Sequence, residues 1–144
     1  MRGLLASWQF WALGSALFAA MTAILAKIGI RDIPSDFATL VRTAVILVFG
    51  AALVAMTGQW RSPSTVPANT WLFLTLSGLA TGASWLCYFR ALKLGDAARV
   101  APVDKLSVVL VAVIGAAVLG EKLSGRNWVG VGLIAVGAVL VALK

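Results

Sequence analysis

The chain has 144 residues, one domain's worth, but it is 61% hydrophobic and only 12% charged, where soluble domains carry about 25% charged residues. That composition excludes a water-soluble globule. Histidine is absent and Cys87 is the single cysteine, which excludes Cys/His zinc sites, disulfides, CxxC redox chemistry and any histidine base.

A bilayer core about 30 Å thick needs roughly 20 apolar residues of helix. On that measure the sequence predicts an all-α membrane protein with five transmembrane helices, about 8–27, 36–57, 70–92, 97–120 and 126–143. The first is read as a retained anchor rather than a cleaved leader, because Trp8 and Trp11 near its start suit a membrane interface. It carries an aromatic and hydroxyl line at helical spacing: Trp8, Trp11, Ser15, Phe18 and Thr22. Trp8 is read as an interface anchor, with Trp60, Trp71 and Trp128 on the same side. Trp11, Ser15 and Thr22 lie deeper and are candidate pocket residues.

Pro34-Ser35-Asp36 opens the second span, with Ser35 as expected N-cap and Asp36 favourable at the positive helix end. Arg42 follows roughly 8 Å into the span at 1.5 Å per residue. Two readings stand for it: snorkelling to the near headgroups, or pairing inside the membrane with local hydrogen bonds from Thr39 and Thr43. The link from Gly58 to Asn69 is the longest loop. In the third span Ser77, Thr81, Ser84 and Tyr88 share one face, and Gly78, Gly82, Trp85 and Phe89 form the line beside it. Such lines serve either as a pocket wall or as helix packing. Packing is assigned to Gly78 and Gly82, and a pocket to Thr81, Ser84, Trp85 and Tyr88. Trp85 also fits the opposite interfacial belt. Cys87 is expected to be a small buried residue.

Gly95-Asp96 reads as a glycine stop followed by an N-cap. Asp104 and Lys105 then fall eight and nine residues into the fourth helix, roughly 12 to 14 Å from its start. Embedded charges cost at least ~2.5 kcal/mol, so each needs a partner. As helix neighbours they point about 100° apart and are not expected to pair with each other; Arg42 is the leading partner for Asp104. Pro102 is expected to kink the helix and free a carbonyl. The competing reading starts the membrane helix at Leu106 and lets both charges snorkel. Ser124 is expected to cap the fifth helix. Ala112, Ala116, Gly120, Gly130 and Gly137 argue for tight bundle packing, and Glu121-Lys122 for a surface turn.

Orientation follows the lysine and arginine bias. Arg2, Arg61, Lys122 and Arg126 fall on one side. Lys27, Arg31, Arg90, Lys93, Arg99 and Lys144 fall on the other, with Arg42 and Lys105 nearer to it. A fixed topology places the N-terminus outside and the C-terminus in the cytoplasm; the bias is modest. The net charge of +7 does not point to nucleic acid, because the basic residues stand singly rather than gathered on one face among aromatics.

The stretches Tyr88-Phe89-Arg90-Ala91-Leu92-Lys93-Leu94-Gly95, Ala97-Ala98-Arg99-Val100-Ala101-Pro102 and Leu119-Gly120-Glu121-Lys122-Leu123-Ser124, with five spans and Arg42 early in the second, resemble the EamA-type domain of the drug/metabolite transporter superfamily. The resemblance covers nearly the whole chain, residues 1–144 being one such domain. It implies half of a ten-helix inverted-repeat transporter, rebuilt as a homodimer, antiparallel because five spans is an odd number. It further implies export or exchange of small metabolites by alternating access in the plasma (inner) membrane. Small multidrug-resistance relatives place a glutamate in the first helix. This chain has none there, which argues against a cationic-drug antiporter and leaves Asp104 as candidate proton carrier.

The function expected is therefore a transporter of small-molecule substrates, dimeric in the lipid bilayer, with no cofactor and no metal. A lipid-linked-sugar flippase subunit and a non-transporting scaffold subunit are the alternatives. An enzyme is disfavoured for want of metal ligands or a nucleophile with a base. The site residues are Trp11, Ser15, Thr22, Thr81, Ser84, Trp85 and Tyr88 for the pocket, and Arg42, Asp104 and Lys105 as intramembrane charges.

Overall fold

The computed structural model describes residues 7–143; Arg2 and Lys144, which entered the charge count, lie outside the described residues. The apolar runs fold as helices α1 (Trp8–Gly29), α2 (Ser35–Met56), α3 (Ala68–Leu94), α4 (Ala97–Asp104), α5 (Leu106–Val118) and α6 (Gly125–Ala142), with one 3-10 turn at Pro63–Thr65. There is no strand among the described residues. With α4 and α5 counted as one interrupted segment, Ala97–Val118, five helices are long and apolar enough to cross a membrane. At most 11% of any of these apolar windows is buried within the chain, so their faces suit a hydrocarbon solvent rather than a private core.

The ends follow from local chemistry. Helix α2 closes on Gly58, whose φ of +65° belongs to the left-handed region glycine enters freely. The amides of Gly58 and Gln59 return to the carbonyls of Ala55 and Val54, the paired bonds of a Schellman stop. Gly120, φ +69°, turns the chain after α5, and the Glu121 amide reaches back to the Gly115 carbonyl at 3.2 Å. Ser124 caps α6 as expected, its hydroxyl accepting from the Asn127 amide at 3.3 Å.

Two expected caps differ. Pro34, not Ser35, holds the N-cap of α2: its carbonyl takes the first helical bond, from Ala38 at 3.0 Å, so Ser35 is already helical. Asp96 sits at the N-cap of α4, but its side chain makes no capping bond. Gly95 is not left-handed, so the expected glycine stop at the end of α3 is absent.

The described residues divide into two compact units, one of residues 26–93 and the other of the residues before and after them. In the 26–93 unit the buried side chains gather at one end: Ala26 in the last turn of α1 and Ile30 just after it, Ala38 and Thr39 in α2, Phe89 and Leu92 in α3. In the other unit α6 packs against α4 and α5, with Gly115 and Ala138 buried. Small residues permit such close approach of apolar helices. Within the 26–93 unit no helix covers Gly78 or Gly82, and a Cβ on either meets nothing within 4 Å. Cys87 is exposed rather than buried, lying on an outward face of α3.

Candidate functional site

At the buried end of the 26–93 unit, three helix termini are tied together by polar groups. Arg90, in the last turns of α3, donates from Nη2 to Asp36 Oδ2 at 2.9 Å and from Nε to Oδ1 at 3.3 Å. Lys27, in the last turn of α1, donates to the carbonyl of Leu92, one of the four carbonyls a helix end leaves without an internal partner.

Further along α2 lies Arg42, half-buried. Its Cζ is 4.9 Å from the ring centroid of Trp85 and 5.1 Å from that of Phe89, both within cation–π range. Neither of the two ion pairs among the described residues involves its guanidinium. An embedded cation costs at least ~2.5 kcal/mol, and two aromatic contacts return roughly 1–2 kcal/mol, so the rings offset much of the cost while engaging none of the five N–H donors. The expected help from Thr39 and Thr43 goes elsewhere. Thr39 donates to the Ser35 carbonyl at 2.9 Å and Thr43 to the Thr39 carbonyl at 2.8 Å, the usual back-bonding of hydroxyls inside a helix.

Of the pocket candidates on α3, Thr81 likewise donates to its own helix, to the Ser77 carbonyl at 2.9 Å. Ser84 is exposed, and Trp85 and Tyr88 are half-buried. On α1, Trp11 and Ser15 are exposed and Thr22 is half-buried. The structure thus joins Trp85 to Arg42, and draws in Phe89, which belonged to the line beside the pocket face. Asp36 and Arg90 were absent from the candidate set. Their signal was present as opposite charges at the same end of two antiparallel spans.

The other unit holds Asp104 and Lys105, and here an expectation is corrected. Lys105 Nζ lies 3.1 Å from Asp104 Oδ2, so the neighbours do pair. The four-carbon lysine stem spans the angle between them, and the helix is interrupted at Lys105. Pro102 lacks the amide that would bond the Ala98 carbonyl. The interruption falls three residues later, where the Lys105 amide is shared between the carbonyls of Ala101 and Pro102 at 3.2 and 3.1 Å.

The EamA-like transporter family matches residues 6–143. The chain belongs to that family. It is also 72% identical over 109 residues, 76% of this chain and 77% of the relative, to a Sinorhizobium sp. protein described as an uncharacterized transporter in the cobO 3' region. No solved structure matches the chain. Five apolar helices and membership of a transporter family make this a multi-pass membrane transporter. Among the described residues no His, Cys, Asp or Glu cluster gathers that would hold a metal.

Proposed function

We propose that this EamA-family chain moves small metabolites across the plasma membrane by alternating access, working as an antiparallel homodimer. The observation that carries the reading is family membership combined with an odd number of spans: a five-span unit duplicated into a ten-helix transporter enters the membrane in opposite senses. The modest lysine and arginine bias is compatible with insertion in both orientations. The open line of Gly78 and Gly82 supports this reading, because small residues on an uncovered face permit close approach of a helix from a second copy. Trp11, Ser15, Thr22, Thr81, Ser84, Trp85 and Tyr88 are the substrate-facing side chains in this proposal.

The transport reading is tested in proteoliposomes by uptake and efflux of a metabolite panel, where no flux above protein-free vesicles overturns it. The assembly is tested by labelling single cysteines at each terminus in a Cys87→Ala background. Each terminus labels from both faces of the membrane if insertion is dual. Labelling from one face alone overturns the antiparallel dimer.

A further inference from the structure

The 26–93 unit is strongly basic: Lys27, Arg31, Arg42, Arg61, Arg90 and Lys93 face only Asp32 and Asp36. Asp36 is engaged on both oxygens by Arg90, and Asp32 lies in the turn before α2. No acid of the unit is therefore paired with Arg42, the cation set well inside a span. We propose that Arg42, held between Trp85 and Phe89, is an oxyanion-binding site that takes the carboxylate or phosphate group of the transported molecule. The inference rests on the transporter reading above and gives it a substrate class, anionic metabolites.

The chemistry is specific. The two rings attract the guanidinium's charge and lie 4.9 and 5.1 Å from its Cζ, on α3. They use none of its N–H donors, and the residue keeps partial exposure. What remains is a planar fork of donors with a positive charge, the geometry that carboxylates and phosphates match in bidentate fashion. A cationic substrate would meet repulsion at the same place. The oxyanion has two possible sources, a soluble metabolite or the phosphate of a lipid headgroup.

The test uses the full chain in phosphatidylcholine nanodiscs, with and without phosphatidylglycerol. Phenylglyoxal modification of Arg42 is followed by mass spectrometry, in benzoate or inorganic phosphate against chloride at matched ionic strength. Protection of Arg42 by benzoate or phosphate in phosphatidylcholine alone supports the site and identifies a soluble oxyanion. Protection only with phosphatidylglycerol supports the site and identifies a lipid phosphate. Equal modification under every condition overturns it. Because Arg42→Gln is open to misfolding, Arg42→Lys and Trp85→Leu are the companion variants. Arg42→Lys keeps the charge but loses the fork, and should weaken anion-dependent thermal stabilisation about tenfold; undiminished stabilisation in both variants overturns the site. Protection of Arg42 without benzoate or phosphate flux in proteoliposomes counts against transport of those anions alone. Anion flux unchanged in Arg42→Lys counts against the site alone.

Discussion

Arg90 holds Asp36 in a two-pronged bridge, with Nη2 to Oδ2 at 2.9 Å and Nε to Oδ1 at 3.3 Å. Arg90 lies in the last turns of α3 and Asp36 in the first turn of α2, so the bridge fixes which ends of two antiparallel helices meet. The Lys27 bond to the Leu92 carbonyl ties α1 to the same end, and Phe89 and Leu92 are buried beside it. Bridging arginines of this shape add geometric definition as well as attraction.

Asp36→Asn or Arg90→Gln should each lower the thermal midpoint of the purified protein, and the exchanged pair Asp36→Arg with Arg90→Asp should recover part of the loss. Both side chains are more than half exposed, so added salt should shrink the difference between wild type and single variants. Two single losses that merely add in the exchanged protein would show that the bridge orders nothing.

The glycines give a stability series. Gly58→Ala forces a side chain into the left-handed region at φ +65°, a cost of roughly 1–2 kcal/mol. At Gly115 the backbone is helical, but a Cβ would come within 2.8 Å of Glu121 Oε2. A flexible carboxylate end gives way, so Gly115→Ala should cost less than Gly58→Ala. Gly78→Ala meets nothing within 4 Å, and gains up to about 1 kcal/mol of helix propensity in a monomer. Equilibrium unfolding in mixed micelles checks the order. A Gly78→Ala loss larger than that of Gly58→Ala would mean that a second helix covers the Gly78 line.

The five spans were legible because a bilayer sets a length that apolar runs must meet, and Ser124 was legible because capping is local chemistry. Long side chains were not. Asp104 and Lys105 were separated on the strength of backbone direction, whereas a lysine stem reaches past that angle. The ring contacts of Arg42 with Trp85 and Phe89 depend on α2 lying beside α3, although the four-residue spacing of the two rings is visible in the sequence. The span order places Asp36 and Arg90 at one end with opposite charges, but that they bridge depends on α2 lying beside α3, a tertiary fact. Gly78-x-x-x-Gly82 showed the limit of a motif, since it marks a face able to pack and does not say whether the same chain packs on it.

The Asp104–Lys105 pair, 3.1 Å apart, sets up a further prediction. Asp104→Asn leaves the Lys105 ammonium without its carboxylate at the interruption between α4 and α5. Transport should fall by about tenfold or more while expression changes little, since an unpaired charge within a span costs at least ~2.5 kcal/mol. Lys105→Gln in the same protein removes the stranded cation. If the pair acts only by mutual neutralisation, that double variant regains activity; if Asp104 carries a proton, it stays inactive. Full activity of Asp104→Asn alone would reduce Asp104 to an interfacial anchor.

Trp71 and Trp85 occupy one helix, fourteen residues apart, and predict opposite phenotypes. Trp71 lies at the loop end of α3, where its indole N–H donates to the Pro63 carbonyl at 3.3 Å, an arrangement suited to a membrane interface. Trp85 is half-buried and faces a guanidinium at 4.9 Å. Trp71→Ala should therefore reduce insertion and yield while leaving the substrate KM of the inserted protein unchanged. Trp85→Ala should raise KM or alter substrate preference with yield near wild type. Trp85→Phe keeps a ring against Arg42 with a weaker cation–π attraction, so it should fall between wild type and Trp85→Ala. Flux measured per inserted molecule separates the two effects. If Trp85→Ala loses yield alone and keeps its KM, Trp85 is a belt residue, and the contact with Arg42 serves to seat the arginine in the membrane rather than to shape a pocket.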